Sequence, residues 1–495
     1  RSGIMNWESV IGLEIHVQLA TESKLFSGAS TSFGAPPNSQ ACAVDLAMPG
    51  TLPVVNQQAV NYALLFGLAI DAEIPLISIF ERKNYFYPDL PKGYQTTQLA
   101  KPIVGRGKID IQLANGGKKA IRIHHAHLEE DAGKSLHEGD FNNNCSGIDL
   151  NRAGTPLIEV VTEPDLSSAK EAVTFAKKLH GIVTSIGICD GRMAEGSMRF
   201  DVNVSVRPLG STILGIRTET KNLNSFKFME EAIIKEVERQ IDILEEGGRI
   251  TQETRLFDGE TKVARAMRSK EEANDYRYFP CPDLLPVEVT QAQLEALAET
   301  LPELPDERAE RFVGQYKIPI ADAEILTSQL MLADYFESVV TQSQHYKLAA
   351  NWITGDLLSR LNSQGINASE CPVSPDQLSV LITRLSEGTV SGKMGKQIFE
   401  AMWQGEGEVD QIIKQRGLKQ VSDNDELEKL VTEVINNNQA MVNDFVSSDQ
   451  KRRKKKLGGF MGSIMKISKG QANPQQVNKI LEEKLQKIID SKAKI

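Results

Sequence analysis

The sequence predicts an α+β protein, with strands of a mainly antiparallel sheet up to about residue 290 and helices from there onward. Short segments of alternating apolar and polar residues, such as "SMRFDVNVSVRP" at 197–208, dominate the first part, and Gly, Pro and Asn turns separate them. After "FPCPDLLPVEVT" at 279–290, apolar residues recur every three or four positions, which is typical of amphipathic helices. A chain of 495 residues exceeds what one hydrophobic core holds, so we expect two or three domains.

The first strand is predicted over "GLEIHVQL" at 12–19. Its alternation places Glu14 and His16 on one face, whereas the opposite face is apolar and is explained as core. The polar face has two interpretations that this segment leaves open: a solvated surface, or a row of metal and proton ligands on a rigid strand. The residues of the apolar face are Leu13, Ile15, Val17 and Leu19.

A second β-rich segment, at 108–128, leads into an unusual density of histidine and acid. Four of the seven histidines lie between 124 and 137, and Glu129, Glu130 and Asp131 follow one another directly. Three adjacent acids cannot all stay ionised at close range without a compensating cation, and a divalent metal would supply it. Carboxylates favour Mg²⁺ or Mn²⁺, while an imidazole ligand leaves the identity of the metal open.

Two further predicted strands and one loop contain charged residues, each with a structural and a functional interpretation. Glu159 interrupts an apolar run, where it either points at water from an edge strand or faces a site. Arg199 and Arg207 share the polar face of 197–208, which fits an exposed strand or the binding of a phosphate chain. The basic and aromatic residues of 82–98 surround two prolines, and such a loop either packs aromatic rings or binds nucleotides and RNA ends.

Helices are predicted near 168–186 and 225–246, and throughout the chain after about residue 290. The predicted domains are residues 5–292, a helical domain over 293–406 and a tail domain over 407–495. The second boundary rests on "WQGEGEVD" at 403–410, where Gly and acidic residues interrupt the pattern. In the tail, Asn473 is a predicted N-cap, and four glycines are expected to break helices. These are Gly458, Gly459, Gly462 and Gly470.

Charge is distributed unevenly along the chain. Residues 451–495 contain 13 Lys and Arg against 3 Asp and Glu, a formal charge of +10 in a protein of net charge -10. A basic segment in an acidic protein predicts contact with a polyanion, and a solvated tail is the equally open alternative. We find no apolar run long enough to span a bilayer and no apolar signal-peptide core, so we expect a cytoplasmic protein without a membrane partner. We interpret residues 1–4 as an expression scar.

Eight stretches, in this order, carry a family resemblance. They are "VIGLEIHVQL", "RKNYFYPDLPKGYQ", "HLEEDAGKS", "DLNRAGTPLIEVVTEPD", "EGSMRFDVNVSVRP", "ETKNLNSF", "QETRLFD" and "DYRYFPCPDL". From Met5 onward the chain resembles the B subunit of the tRNA-dependent amidotransferase that converts Glu-tRNA(Gln) or Asp-tRNA(Asn) to the amide. The resemblance implies a glutamine-synthetase-like antiparallel-sheet cradle domain, an all-α helical domain and an all-α tail domain that binds tRNA.

The same resemblance implies a mechanism and a set of partners. ATP phosphorylates the side-chain carboxylate of the misacylated aminoacyl group, and ammonia then displaces the phosphate. The ammonia comes from a glutaminase A subunit, and a small C subunit completes the heterotrimer. The sequence contains no Walker P-loop and no Rossmann glycine motif, so we expect ATP to be held in another geometry.

Motif position also implies roles for individual residues. His16, Glu130 and Glu159 are the implied metal ligands, with Glu14 beside them, and Mg²⁺ or Mn²⁺ is the expected ion. The implied ammonia path and transamidation site comprise Lys83, Tyr85, Lys92 and Glu129, and the implied nucleotide contacts are Arg199, Asp201, Lys221 and Asn222.

One departure from the family concerns zinc. Some members carry four cysteines near the "FGA" stretch, whereas the corresponding residues here are Ser27, Ala29, Cys42 and Asp45, so we predict no zinc. Residues 141–147 are predicted to be a surface insertion without an assigned role. The competing hypothesis for the whole chain is a tRNA-binding scaffold without catalysis. The sequence leaves open whether Glu-tRNA(Gln), Asp-tRNA(Asn) or both are substrates.

Overall fold

The large sheet of the N-terminal part positions the site residues. The computed structural model describes residues 6–136, 145–269, 275–418, 424–448, 450–468 and 470–492, so most of the predicted 141–147 insertion lies outside the described residues. The chain divides into two units, Arg1–Arg308 with Ser328–Leu330 and Ala309–Thr327 with Met331–Ile495. Within the described ranges, no helix is long and apolar enough to cross a membrane.

The strands within the described residues all lie in the first unit. They are β1 Trp7–Gln18, β2 Ile77–Ser78, β3 Glu81–Asn84, β4 Tyr94–Thr97, β5 Gly107–Gln112, β6 Lys118–Glu130, β7 Lys134–Leu136, β8 Gly147–Asp149, β9 Pro156–Thr162, β10 Met198–Pro208, β11 Thr218–Leu223, β12 Glu253–Asp258, β13 Val263–Ser269, β14 Phe279–Pro280 and β15 Val287–Glu288. Eight of them form one sheet in the order β13-β12-β11-β10-β1-β9-β6-β5, and every neighbouring pair is antiparallel except β11 with β12. This confirms an α+β protein with a large, mainly antiparallel sheet.

The alternation of β1 and β10 explains why one face of this sheet is core. Leu13, Ile15 and Val17 of β1 are at most 1% exposed, and Phe200 and Val202 of β10 are equally buried. Helices α1 (Gln57–Ala69), α2 (Ala169–Ser185) and α3 (Phe226–Glu245) contribute to the same hydrophobic cluster. The opposite face of the sheet carries the polar residues of both strands, as predicted.

The two helices predicted within the β-rich part are confirmed as α2 and α3. Each begins with a serine cap, because the Ser168 side chain accepts a hydrogen bond from the backbone N–H of Glu171 and Ser225 accepts one from Phe228. Their apolar faces then cover the sheet, as expected for amphipathic helices of this length.

The chain after β15 is helical within the described residues. Two separate hydrophobic clusters form in the second unit, one between Ala309 and Ile412 and one between Leu427 and Leu485. The predicted boundaries near residues 292 and 406 stay predictions. The helices are α4 Gln291–Ala298, α5 Pro305–Tyr316, α6 Ile320–Thr327, α7 Leu330–Ser343, α8 Tyr346–Trp352, α9 Leu358–Gln364, α10 Pro375–Ser386, α11 Gly392–Trp403, α12 Val409–Arg416, α13 Asn424–Asn437, α14 Gln439–Val446, α15 Gln450–Ile467 and α16 Pro474–Lys492.

The prediction that glycines break the tail helices is wrong for Gly458, Gly459 and Gly462, which all lie inside α15. Each glycine costs a helix roughly 1 kcal/mol relative to alanine, but burial of Phe460 and Ile464 outweighs that cost. Gly459 also makes room for a neighbour, since a Cβ there would lie 2.9 Å from Cε of Met441.

The other two predictions for the tail helices are confirmed. Gly470, with φ +80°, follows α15, and its left-handed backbone is one that glycine adopts without strain. Asn473 caps α16 by accepting hydrogen bonds from the backbone N–H groups of Gln475 and Gln476, at 3.0 and 3.2 Å.

Candidate active site

A row of three side chains crosses three adjacent strands on the polar face of the sheet. Antiparallel register pairs His16 of β1 with Glu159 of β9, and Glu159 in turn with His127 of β6. Glu129 lies two residues beyond His127 and therefore on the same face. We call these four residues the histidine–carboxylate cluster.

Each carboxylate of this cluster lies between two imidazoles. Nε2 of His16 is 3.1 Å from Oε1 of Glu129 and 3.3 Å from Oε2 of Glu159. Nε2 of His127 is 3.3 Å from the same oxygen of Glu159 and 3.5 Å from Oε2 of Glu129. The two oxygens of Glu129 thus face different histidines.

The two charge types in the cluster stabilise each other. Burial alone would lower the pKa of both imidazoles, but the two carboxylates outweigh it, raising the pKa of His127 to about 9 and that of His16 well above its usual value. Burial alone would raise the pKa of both carboxyl groups, yet the imidazoles lower that of Glu129 to about 2 and that of Glu159 well below its usual value. Two protons therefore balance two carboxylates.

His127 continues into a row of histidines that ends at the surface. Nδ1 of His127 lies 3.0 Å from Nε2 of His125, and Nδ1 of His125 lies 2.7 Å from Nδ1 of the exposed His124. Burial, with the two neighbouring imidazoles, lowers the pKa of His125 to about 4, so its ring is neutral. The protonated ring of His127 donates to it.

A second cluster lies beside the first on the same face, and we call it the lysine–carboxylate cluster: Glu14, Asp201, Glu219 and Lys221. Nζ of Lys221 is 2.6 Å from Oδ2 of Asp201 and 3.1 Å from Oε1 of Glu219. Asn203 donates a hydrogen bond from Nδ2 to Oε1 of Glu14 at 3.2 Å. Burial raises the pKa of Glu14, and Glu159 and Glu219 add to the increase. Burial alone would lower the pKa of Lys221, but Asp201 and Glu219 raise it.

Two groups of side chains satisfy the geometric requirement for a metal site within the described residues. Potential ligand atoms of His16, Glu129 and Glu159 all lie within 4.8 Å of one another, as do those of the three carboxylates of the lysine–carboxylate cluster. One imidazole with two carboxylates is a donor set that Mn²⁺ accepts and that Mg²⁺ accepts less commonly. The first group therefore fits a divalent cation.

Glu130 lies away from His16, although it is adjacent to Glu129. Its Oε1 accepts hydrogen bonds from the ammonium of Lys92 and from the backbone N–H of Thr96, the latter at 3.0 Å. Successive residues of a strand point to opposite faces, so Glu129 and Glu130 cannot both face the histidines. The structure thus brings together His16, Glu159 and Glu129 of the predicted site residues and separates Glu130 from them.

Three members of the histidine–carboxylate cluster, His16, Glu129 and Glu159, line a cleft of about 720 Å³. Lys83 lies over two aromatic rings there, with Nζ 4.8 Å from the ring centre of Tyr276 and 5.8 Å from that of Tyr85. Burial, with Glu129, raises the pKa of Tyr85, so its hydroxyl stays protonated and donates to Gln95 at 3.2 Å. The cleft also contains Arg199, Asp201 and Lys221.

Arg199, a predicted nucleotide contact, is paired with a carboxylate. Arg199 contacts Asp131, with its guanidinium nitrogen 2.8 Å from the carboxylate. Asn222 lies in β11, and its side chain is outside those described. Sequence reasoning noted the density of histidines but did not single out His127 or Glu219. Their signal is cross-strand register, which no single segment contains.

Three of the four positions compared with zinc-binding cysteines, Ser27, Cys42 and Asp45, belong to a hydrogen-bonded network around a buried ion pair. Lys24 is fully buried, with Nζ 3.4 Å from Oδ2 of Asp45, and it donates to the carbonyl of Leu150 at 3.2 Å. Asp45 also accepts hydrogen bonds from the Ser27 hydroxyl at 3.0 Å and the Cys42 backbone N–H at 2.9 Å. The absence of zinc stays a prediction.

Charged clusters that face an open cleft are typical of an enzyme active site, and the comparisons identify the class of the enzyme as amidotransferase. Residues 9–295 match the family described as "GatB/GatE catalytic domain", and residues 334–485 match "GatB domain". The B subunit of the aspartyl/glutamyl-tRNA(Asn/Gln) amidotransferase of Alcanivorax borkumensis is 63% identical over 482 residues, that of Teredinibacter turnerae 62% and that of Pseudomonas aeruginosa 57%. Each alignment covers 97% of this chain and the whole relative.

The chain belongs to the family of B subunits of aspartyl/glutamyl-tRNA(Asn/Gln) amidotransferases. It is one chain of a ligase that acts in translation and forms Gln-tRNA(Gln) or Asn-tRNA(Asn). The resemblance stated from the motifs is confirmed.

Proposed function

We propose that the first unit is a glutamine-synthetase-like cradle in which ATP phosphorylates the side-chain carboxylate of misacylated Glu-tRNA(Gln) or Asp-tRNA(Asn), and in which ammonia then displaces the phosphate. The observation that carries this proposal is the histidine–carboxylate cluster in the wall of the cleft. Phosphoryl transfer between two anionic groups needs fixed positive charge and fixed ligands more than it needs a nucleophilic side chain.

The proposed metal ligands are His16, Glu129 and Glu159, because these three side chains already converge. A bound Mg²⁺ or Mn²⁺ would neutralise phosphate oxygens during transfer. Glu14 stands beside Lys221 and Asp201, and we place it next to the metal rather than on it. Glu130 is proposed to hold Lys92 in place through their ion pair.

Cationic side chains in the cleft support nucleotide binding. Arg199 and Lys221 both line it, and their charges suit the phosphates of ATP, with Asp201 fixing Lys221. Asn222 stays a predicted contact.

The proposed amidation site uses Lys83, Tyr85 and Lys92. Burial would lower the pKa of Lys83, but Tyr278 and Glu129 raise it, so the ammonium is charged and can stabilise an acyl phosphate. Glu129, which we assign to the metal, borders this site, and its carboxylate is ionised near neutral pH. Lys92 stands with Glu130 at the neighbouring end of β6.

The relatives are single chains of a multi-subunit enzyme, and we propose a glutaminase A subunit and a small C subunit as the partners of this chain. The decisive experiment for the cleft is to compare Glu129→Ala with Glu130→Ala in the reconstituted complex, assayed for phosphate release with Glu-tRNA(Gln). Loss of the proposed ligand should reduce turnover by at least about 100-fold, and Glu130→Ala should cost less because it removes only the partner of Lys92.

Glu238→Ala is the matched control, because Glu238 is an exposed carboxylate on α3. Unchanged phosphate release in all three variants would defeat the metal assignment and favour a non-catalytic scaffold. Repeating the assay with Asp-tRNA(Asn) shows which misacylated tRNA is the substrate.

The tail is proposed to bind the tRNA body through α15. Deleting residues 424–495, which leaves Ile412 in the preceding hydrophobic cluster, should weaken tRNA binding in a salt-dependent way while leaving the partner's glutaminase activity intact. A sharper variant is Lys455→Glu, since Lys455 is exposed in α15, with Lys108→Glu on β5 as the control. Loss of one phosphate contact lowers the slope of log affinity against log salt by about 1. An unchanged slope would remove α15 from the RNA interface.

A further inference from the structure

We propose that His127 is a positioning residue of the metal centre, which holds Glu129 and Glu159 in the orientation that a divalent cation requires. This inference rests on the proposed function, because it assumes that His16, Glu129 and Glu159 bind the cation. His127 itself is assigned the outer position, behind the two carboxylates.

The first argument is the division of oxygens on Glu129. Oε1 faces His16 at 3.1 Å, whereas Oε2 faces His127 at 3.5 Å. A donor on Oε2 fixes the plane of the carboxylate and leaves Oε1 directed at the proposed cation position. His127 is 7% exposed, so water cannot easily replace it in this role.

The second argument is how His127 is itself held. Its Nδ1 is hydrogen-bonded to Nε2 of His125 at 3.0 Å, and the two rings are stacked with centres 5.1 Å apart and 21° between their planes. With one ring nitrogen fixed in this way, the other must point at the carboxylates. Histidine rings beside metal ligands are commonly oriented by such an outer hydrogen bond.

The third argument is a backbone irregularity that serves the histidine row. Adjacent residues of a regular strand point to opposite faces, yet the Nδ1 atoms of His124 and His125 lie 2.7 Å apart. The register of β6 with β9 shifts between Ile123 and His125, which is a β-bulge. A bulge that re-aims a side chain beside a site is a recurrent feature of functional strands.

The test is a titration of the complex with Mn²⁺ alone, after treatment with a chelator, with free Mn²⁺ followed by electron paramagnetic resonance. We expect His127→Leu to weaken Mn²⁺ binding about 10- to 100-fold, because the carboxylates lose their outer donor. His127→Gln, which keeps an N–H donor, should recover most of that affinity, and His124→Gln at the exposed end should have the smallest effect.

Glu159→Gln separates failure of the inference from failure of the proposed site. If Glu159→Gln abolishes Mn²⁺ binding while His127→Leu binds as the wild type does, the positioning role is overturned and the site stands. If His127→Leu is as severe as Glu159→Gln, His127 is a direct ligand and the outer position is overturned. If Glu159→Gln itself binds Mn²⁺ normally, the proposed site is wrong and the inference falls with it. Circular dichroism of each variant, and rescue by His127→Gln, exclude simple misfolding.

Discussion

Two charged clusters share one face of the large sheet, and they differ in the group that balances their carboxylates. In the histidine–carboxylate cluster the balancing groups are His16 and His127, whereas in the lysine–carboxylate cluster it is Lys221. An imidazolium can release its proton near neutral pH when a stronger cation arrives, but a lysine ammonium with a raised pKa cannot. The first cluster can therefore exchange its balancing protons for a metal ion, whereas the second keeps its lysine ammonium.

The difference also explains why three nearby carboxylates alone do not define a metal site. Asp201 and Glu219 already share the ammonium of Lys221, at 2.6 and 3.1 Å. A divalent ion would have to displace that ammonium, which is tethered to β11. Proximity of acids is thus a weaker criterion than the identity of their counter-charge.

The largest effect is expected for Glu159→Gln, which removes the negative charge beside the carboxylate oxygen that both histidines contact. Phosphate release by the complex should fall by at least about 100-fold, since the proposed site loses a ligand. Glu219→Gln, in the other cluster, should cost clearly less in the same assay. Equal losses would erase the distinction between the clusters.

Lys221→Met should lower stability, in addition to removing a proposed contact with ATP. Removing one partner of a buried ion pair typically costs roughly 3–5 kcal/mol. The Lys221 side chain is 41% exposed, and solvent screening reduces the expected loss to about 1–2 kcal/mol. Chemical unfolding of the full chain measures this, and Lys221→Arg should restore most of it. A neutral effect of Lys221→Met would show that the three carboxylates need no balancing cation.

The pH dependence of the metal-free protein should differ between the clusters. The folded pKa of His127 is about 9 against 6.5 for a free imidazole, so its contribution to stability is full below about pH 6.5 and is lost as the pH rises through about 9. Glu129 contributes above its ordinary pKa of 4.5 and loses this as the pH falls through about 2.

We therefore expect the stability difference between wild type and His127→Leu, measured by thermal unfolding with chelator present, to shrink between about pH 6 and about pH 9. The difference between wild type and Lys221→Met should stay constant over that interval, because the pKa of Lys221 is raised above 10.5. A parallel loss in both would show that the two clusters titrate together.

The smallest effect is expected for Asn203→Ala. It removes one hydrogen bond to Glu14, and such a bond contributes about 0.5–1.5 kcal/mol. Mn²⁺ affinity should not change, because the described contact of Asn203 is with the lysine–carboxylate cluster and not with the histidine–carboxylate cluster. A large loss of Mn²⁺ binding would place Glu14 on the metal instead of beside it.

Alternation along single strands predicted much of this molecule. The core faces of β1 and β10 and both helices within the β-rich part follow from short-range patterns, because side-chain direction repeats every two residues in a strand and every 3.6 in a helix. The cap of α16 was equally local, since Asn473 needs only the two N–H groups that follow it. The continuity of α15 through three glycines was not, because it depends on the burial of Phe460 and Ile464.

The sequence by itself determined the family, the residue types of the site and the strands that carry them. Only the tertiary structure decided which acid meets which base. Glu129 and Glu130 are neighbours in the chain, but the face of β6 that each occupies depends on the pairing of β6 with β9. Glu14 and His16 share one face of β1 but have different neighbours. Strands β10 and β11 place Lys221 and the carboxylates that it contacts beside Glu14, whereas β6 and β9 place two carboxylates beside His16. Cross-strand register is a long-range property, and it selects partners that no local pattern encodes.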